Sequence, residues 1–144
     1  MADYAQATVK LVDGMQFVGE SGTGHGFIMD AAPAVGGHNT GCRPMELLLI
    51  GLGGCTGMDV ISILRKKKLK VSSLTMNVKG MWRQGEEYPK YFEGIEVEYV
   101  VTGEGITDDA VKRAIELSEE KYCSVAANLR GTSKITTSFK VING

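Results

Sequence analysis

The stretch from Pro44 to about Lys67 constrains this chain more than any other. Pro44 sits where a helix would begin, since its missing N–H costs nothing at the first helical position. No proline follows it for more than forty residues, and the spacing predicts one long helix over 45–67. Arg65-Lys66-Lys67-Lys68 at its end are cations that suit the negative pole of the helix dipole. The first half, Leu47-Leu48-Leu49-Ile50-Gly51-Leu52-Gly53-Gly54-Cys55, is apolar or small on every side, so it is expected to be buried all round. Gly51, Gly53 and Gly54 each cost roughly 1 kcal/mol of helix propensity relative to alanine. Close approach of another backbone, in a second helix or a second subunit, would offset that.

The rest of the chain supplies strands and two shorter helices. Thr8–Val12 and Met15–Val18 flank Asp13-Gly14, the pattern of a hairpin with a type I′ turn. Phe27–Asp30 reads as a third short strand, and 31–43, with Pro33, Gly36, Gly37 and Gly41, as a loop. Leu74, Met76 and Val78 alternate with polar neighbours up to Trp82. Ile95, Val97, Tyr99 and Val101 alternate with Glu96, Glu98 and Val100, the pattern of half-buried antiparallel strands. A loop over 84–90 joins the two. Thr107 as N-cap, followed by Asp108 and Asp109, opens a second helix whose buried stripe is Val111, Ala114, Ile115 and Ser118. A short helix over 122–129 ends at Gly131, and a last strand carries Ile135, Thr137, Phe139 and Val141. The order β-β-β-α-β-β-α-α-β predicts an α+β fold, in one domain over 1–144.

Composition narrows the partners. The chain is 43% hydrophobic and 23% charged, ordinary for a globular protein. A formal net charge of -1 gives no electrostatic reason for a nucleic-acid or membrane partner, and the basic run at 65–68 is too short to change that. The N-terminus carries no basic stretch followed by an apolar one, so no secretory signal is expected, and the apolar run 47–52 is short for a bilayer. Cys42, Cys55 and Cys123 are an odd number without a C-x-x-C pair. That argues against a disulfide scaffold, a thioredoxin motif or a zinc ribbon, and for a reducing, cytoplasmic setting.

Pattern alone leaves the cysteines open. Cys55 reads as a small core residue, since free cysteine packs as an inert hydrophobe, or as a thiol with a function. Cys123 follows Tyr122 near the start of a short helix, where oriented N–H groups would favour a thiolate. Cys42 lies beside a glycine-rich loop. His25 and His38 read as solvated loop histidines, Glu86-Glu87 and Glu119-Glu120 as solvated faces, and Trp82 and Tyr122 as packing residues.

The segments around two of the cysteines are more specific. Arg43-Pro44-Met45-Glu46-Leu47-Leu48-Leu49-Ile50-Gly51-Leu52-Gly53-Gly54-Cys55 resembles the helix that carries the first cysteine in the OsmC/Ohr superfamily. Leu117-Ser118-Glu119-Glu120-Lys121-Tyr122-Cys123-Ser124-Val125 resembles the segment that carries the second. With Asp59-Val60-Ile61-Ser62-Ile63-Leu64, the wording is most similar to the YhfA-like branch, and the resemblance runs from Val9 to Val141.

The resemblance implies an OsmC-like fold, with antiparallel sheets wrapped around central helices in an intertwined homodimer. It implies a thiol-dependent peroxidase that needs no cofactor or metal and reduces organic hydroperoxides under oxidative stress. Cys55 would attack as thiolate, Cys123 would resolve the sulfenic acid as a disulfide, and an external dithiol would reduce it. In the peroxidases a glutamate directly follows the proline, and an upstream arginine helps to activate the first thiol. Here Met45 holds that position, Glu46 comes one residue later as the candidate acid, and no arginine precedes Arg43. These departures motivate an alternative: a non-catalytic protein on the same scaffold that binds a small apolar ligand or senses redox state. A metal site built from His25, His38 and Cys42 is the third reading.

Overall fold

Alternating side chains and a glycine turn build the first sheet. Strands β1 (Ala7–Asp13), β2 (Gln16–Ser21) and β3 (Gly26–Met29) pair antiparallel in that order. The structure, a computed structural model, describes residues 3–144, in two compact units, one up to Leu48 and one from Leu49 to Gly144. The first turn lies one residue later than the Asp13-Gly14 pattern predicts. Asp13 already pairs with Gln16, and the register slips between Leu11 and Asp13. Gly14 takes the left-handed φ of 55° and Met15 does not, so the turn is not type I′, which needs both central residues there.

The loop after β3 is organised by a single buried carboxylate. Asp30 accepts hydrogen bonds from the backbone N–H of Ala31 (2.7 Å), His38 (3.1 Å) and Thr40 (3.1 Å), and from the Thr40 hydroxyl (2.6 Å). These donors, the Thr40 hydroxyl foremost, hold its pKa far below the ordinary carboxylate range. Gly37 is required inside this loop, because a Cβ there would overlap the Ala31 carbonyl.

Helix α1 (Pro44–Lys66) matches its expected limits to within a residue. Its start carries the glutamate half of a capping box: Glu46 Oε1 accepts from the Arg43 N–H (2.7 Å), while the Glu46 N–H donates to the Arg43 backbone carbonyl (3.0 Å). Its end is a Schellman motif, with Lys68 N–H on Arg65 O, Leu69 N–H on Leu64 O, and Lys68 at φ 59° in place of the usual glycine. The expectation of burial all round does not hold within one chain. Leu52, Thr56, Val60 and Leu64 are buried, yet Leu48, Ile50 and Met58 are exposed. Four residues apart, the buried set forms one stripe, while Ile50 and Met58 on other sides of the helix stay exposed among the described residues. By length and composition α1 is also apolar enough to cross a bilayer, which the short run 47–52 conceals. The buried polar bonds that Thr56 and Asp59 make to the second unit's other elements belong instead to a packed core helix.

The second sheet joins β4 (Lys70–Trp82), β5 (Phe92–Glu104) and β6 (Lys134–Asn143). The β4–β5 pair is antiparallel, but β6 runs parallel to β5, so this sheet is mixed rather than antiparallel throughout. A parallel neighbour needs a crossover, and α2 (Asp108–Leu117), a five-residue π turn (Ser118–Tyr122) and α3 (Ser124–Leu129) provide it. Ile95, Val97, Tyr99 and Val101 of β5 are buried, as are Val111, Ala114 and Ile115 of α2 and Ser118 just after it, which is the stripe the sequence predicts. The Thr107 hydroxyl caps α2 by accepting from Ala110 N–H (3.2 Å). Gly131 takes no left-handed cap; α3 closes at Arg130 in ordinary helical geometry.

Candidate thiol centre

The site lies within the second unit and begins with helical spacing. Cys55 and Asp59 are four residues apart on α1, so they share a face. The π turn delivers the third member: it ends at Tyr122, and the extended Cys123 becomes the N-cap of α3. The sulfurs of Cys55 and Cys123 and a carboxylate oxygen of Asp59 all lie within 4.8 Å of one another. No disulfide joins the cysteines.

Cys123 is buried, and its sulfur accepts from the Ala126 N–H at 3.4 Å. The Ala126 N–H favours the thiolate, as expected of a helix N-terminus, but burial outweighs it. Burial pushes the thiol up to about 11, the Ala126 N–H recovers only part of that, and Cys55 and Asp59 add to the rise. Cys123 therefore keeps its proton at neutral pH.

Behind Asp59 runs a line of buried hydroxyls. Ser118 Oγ donates to Asp59 Oδ2 (2.8 Å), Thr56 Oγ1 lies 2.7 Å from Ser118 Oγ, and Tyr99 Oη lies 2.7 Å from Thr56 Oγ1. Each hydroxyl has one proton to give. With the Ser118 proton on Asp59, Thr56 donates to Ser118 and Tyr99 donates to Thr56. Burial pushes the Tyr99 phenol up to about 12 against the opposing pull of its Thr56 hydrogen bond, so it remains a donor. Among the described residues no buried side-chain N or O lacks a partner. Sequence reading missed this line because its members come from three elements. Only the Cys55–Asp59 spacing, a carboxylate one turn from a cysteine in an apolar helix, signalled part of it.

The other candidates fall elsewhere. Glu46 is committed to the Arg43 N–H at the start of α1, and Arg43 Nη1 donates to Asn39 Oδ1 (3.0 Å) and the Gly41 carbonyl (3.1 Å). His25, His38 and Cys42 do not form a ligand cluster, since among the described residues only Cys55, Asp59 and Cys123 bring three such groups together. The spacing of those three would accommodate a soft cation as well as a thiol pair. Glu119 is no solvated face: burial raises its carboxyl above the ordinary value. Trp82 and Tyr122 are half-exposed, Trp82 stacking on Phe92 with ring centroids 4.5 Å apart. A pocket of about 420 Å³ runs beside Gly54, Gly57, Met58, Ile61 and Met76.

Residues 37–138 match the family model described as OsmC-like protein. Protein YhfA of Escherichia coli strain K12 is 42% identical over 140 residues, covering 95% of this chain and 98% of its own. A hypothetical protein from Aquifex aeolicus VF5 has a TM-score of 0.85 at 31% identity, over 99% of each chain. An organic hydroperoxide resistance protein from Elizabethkingia anophelis, crystallised with thiocyanate, shares the fold, with a TM-score of 0.69 at 22% identity over 100% of this chain and 99% of its own. A family match over most of the chain and a relative similar from end to end establish that this chain belongs to the OsmC-like protein family.

Proposed function

We propose that this protein is a homodimeric, cytoplasmic thiol peroxidase that reduces organic hydroperoxides through Cys55 and Cys123. The observation that carries the reading is the pair of sulfurs within 4.8 Å, far apart in sequence yet brought together by α1 and the π turn. A disulfide needs them about 2 Å apart, a distance that side-chain rotation can close. The family resemblance gives the attack to Cys55, and burial, which pushes the Cys123 thiol up, suits Cys123 to the resolving role. Its thiolate takes the terminal oxygen of the hydroperoxide: the S–O bond forms, the O–O bond breaks, and the alkoxide leaves as alcohol after taking a proton. Cys123 then attacks the sulfenic sulfur, water leaves, and an external dithiol returns both thiols by exchange. The electrons come from that dithiol, so the cycle calls for no cofactor or metal. Glu46 enters as a positioning residue, capping the helix that bears Cys55.

The dimer is supported by apolar surface without cover in one chain: Leu48, Ile50 and Met58 on α1, and Val9, Leu11 and Phe27 in the first sheet. Each such side chain is worth roughly 1.5–3 kcal/mol when buried. The similarity to the YhfA relative covers 95% of the chain and so reaches both units, which supports one functional domain. Dithiol-dependent consumption of tert-butyl hydroperoxide by the wild type, absent in Cys55→Ser, is the expected result. Equal inactivity of wild type and variant would remove the reading.

A ligand-binding role is the second reading, favoured by a separate pocket of about 580 Å³ within the first unit. Val9, Phe17, Met29 and Val35 line it, with Arg43 at hand for an anionic group.

A further inference from the structure

We propose that Asp59 is the general base of the closing step: it takes the proton of Cys123 as Cys123 attacks Cys55, and returns it to the departing oxygen. This rests on the peroxidase reading and assigns a catalytic residue that neither the family pattern nor Glu46 supplies. A thiol raised to about 11 is thiolate in only about one molecule in ten thousand at pH 7, so Cys123 cannot attack fast unaided. A proton acceptor is needed beside it, and the groups facing it are few. Cys55 and Asp59 come from α1 and Tyr99 from β5, while Glu119 stands on the π turn with Arg130 beyond it. Cys55 is the reaction partner, and Tyr99 still holds a proton and spends it on Thr56. Asp59 is the carboxylate whose oxygen lies within 4.8 Å of both sulfurs, a gap that one water or a small rotation spans.

The hydroxyl line gives Asp59 the rest of what a base needs. Ser118 holds Oδ2 and so orients the carboxylate. Behind it, Thr56 and Tyr99 form a relay whose protons all point toward Asp59, so the carboxylate is oriented from the protein side. The step balances. The Cys123 S–H bond breaks and its proton goes to Asp59; the sulfur pair forms the S–S bond; the S–O bond of the Cys55 sulfenic acid breaks. The leaving hydroxide takes the proton from Asp59 and departs as water. Asp59 ends as it began.

The test isolates closure from peroxide chemistry. In a Cys42→Ser background, Cys55 is loaded with one equivalent of 5,5′-dithiobis(2-nitrobenzoate), and release of the second thionitrobenzoate reads attack by Cys123. Thionitrobenzoate leaves without needing a proton, so the rate reports removal of the Cys123 proton alone. We expect Asp59→Asn to slow release roughly a hundredfold at pH 7, a typical loss for a removed general base. The competing account has the opposite sign: if Asp59 is only a neighbouring charge that raises the Cys123 pKa, its removal speeds release. Unchanged or faster closure overturns the proposal. The wild-type pH profile serves if the variant does not fold. A plateau from neutral pH upward is expected, and a tenfold rise per pH unit up to about pH 11 overturns it. Because no peroxide is present, inactivity toward hydroperoxides would defeat the peroxidase reading without touching this result.

Discussion

Asp30 and Asp59 are both carboxylates held within the protein, and they are held in opposite ways. Asp30 accepts from four donors, three of them backbone N–H groups of its own loop, and its charge is locked in place. Asp59 accepts from one serine hydroxyl and faces two thiols. A carboxylate surrounded by donors is a structural post, since protonating it would break every bond it makes. One held at a single oxygen, with a proton-bearing sulfur as neighbour, is free to take a proton and give it back. The number and kind of donors, more than burial, separates architecture from chemistry here.

The sharpest break of that comparison lies at the sulfur Asp59 serves. Cys55→Ser should abolish hydroperoxide turnover, a loss of at least about a thousandfold as for other removed nucleophiles, while Asp30→Asn should leave turnover by correctly folded protein unchanged. A coupled dithiol-consumption assay reads both. Next in size, Thr56→Val strands the buried Tyr99 hydroxyl without its acceptor and takes away the donor to Ser118. Urea unfolding should show a loss of about 1–3 kcal/mol. Equal stability would mean the hydroxyl line is not a satisfied network. The smallest effect concerns acid. The pKa of Asp30 is depressed in the folded protein, so its contribution is complete above its unfolded value of about 4 and is lost as pH falls below that. Asp30→Asn should flatten the acid limb of the stability profile below about pH 4, and an unchanged limb would contradict the locked charge.

Local features were largely legible in the sequence. Pro44 and the run of lysines bound α1, Thr107 caps α2, and alternation along β5 names its buried residues, because each signal acts within a few positions. The parallel direction of β6 was not legible, since alternation fixes which face is buried and says nothing of strand direction. The two cysteines were found through family resemblance, yet the sign of the Cys123 shift was not. Its helix N–H is local, whereas the burial that outweighs it comes from the assembled core. Asp59 escaped for the same reason: Ser118 stands 59 positions away and Tyr99 lies 43 beyond Thr56, so only folding reveals the line between them. Leu48, Ile50 and Met58 show the converse case. The all-apolar helix was expected to be buried all round, and one chain leaves part of it exposed.

The central claim is that Cys55 and Cys123 form one redox pair. It is tested most directly by adding one equivalent of tert-butyl hydroperoxide to the reduced protein, counting free thiols and mapping the products by mass spectrometry. The account predicts that two thiols disappear, that a Cys55–Cys123 disulfide forms within one chain, and that Cys42 remains free. Three free thiols after exposure, or oxidation confined to Cys42, would contradict it.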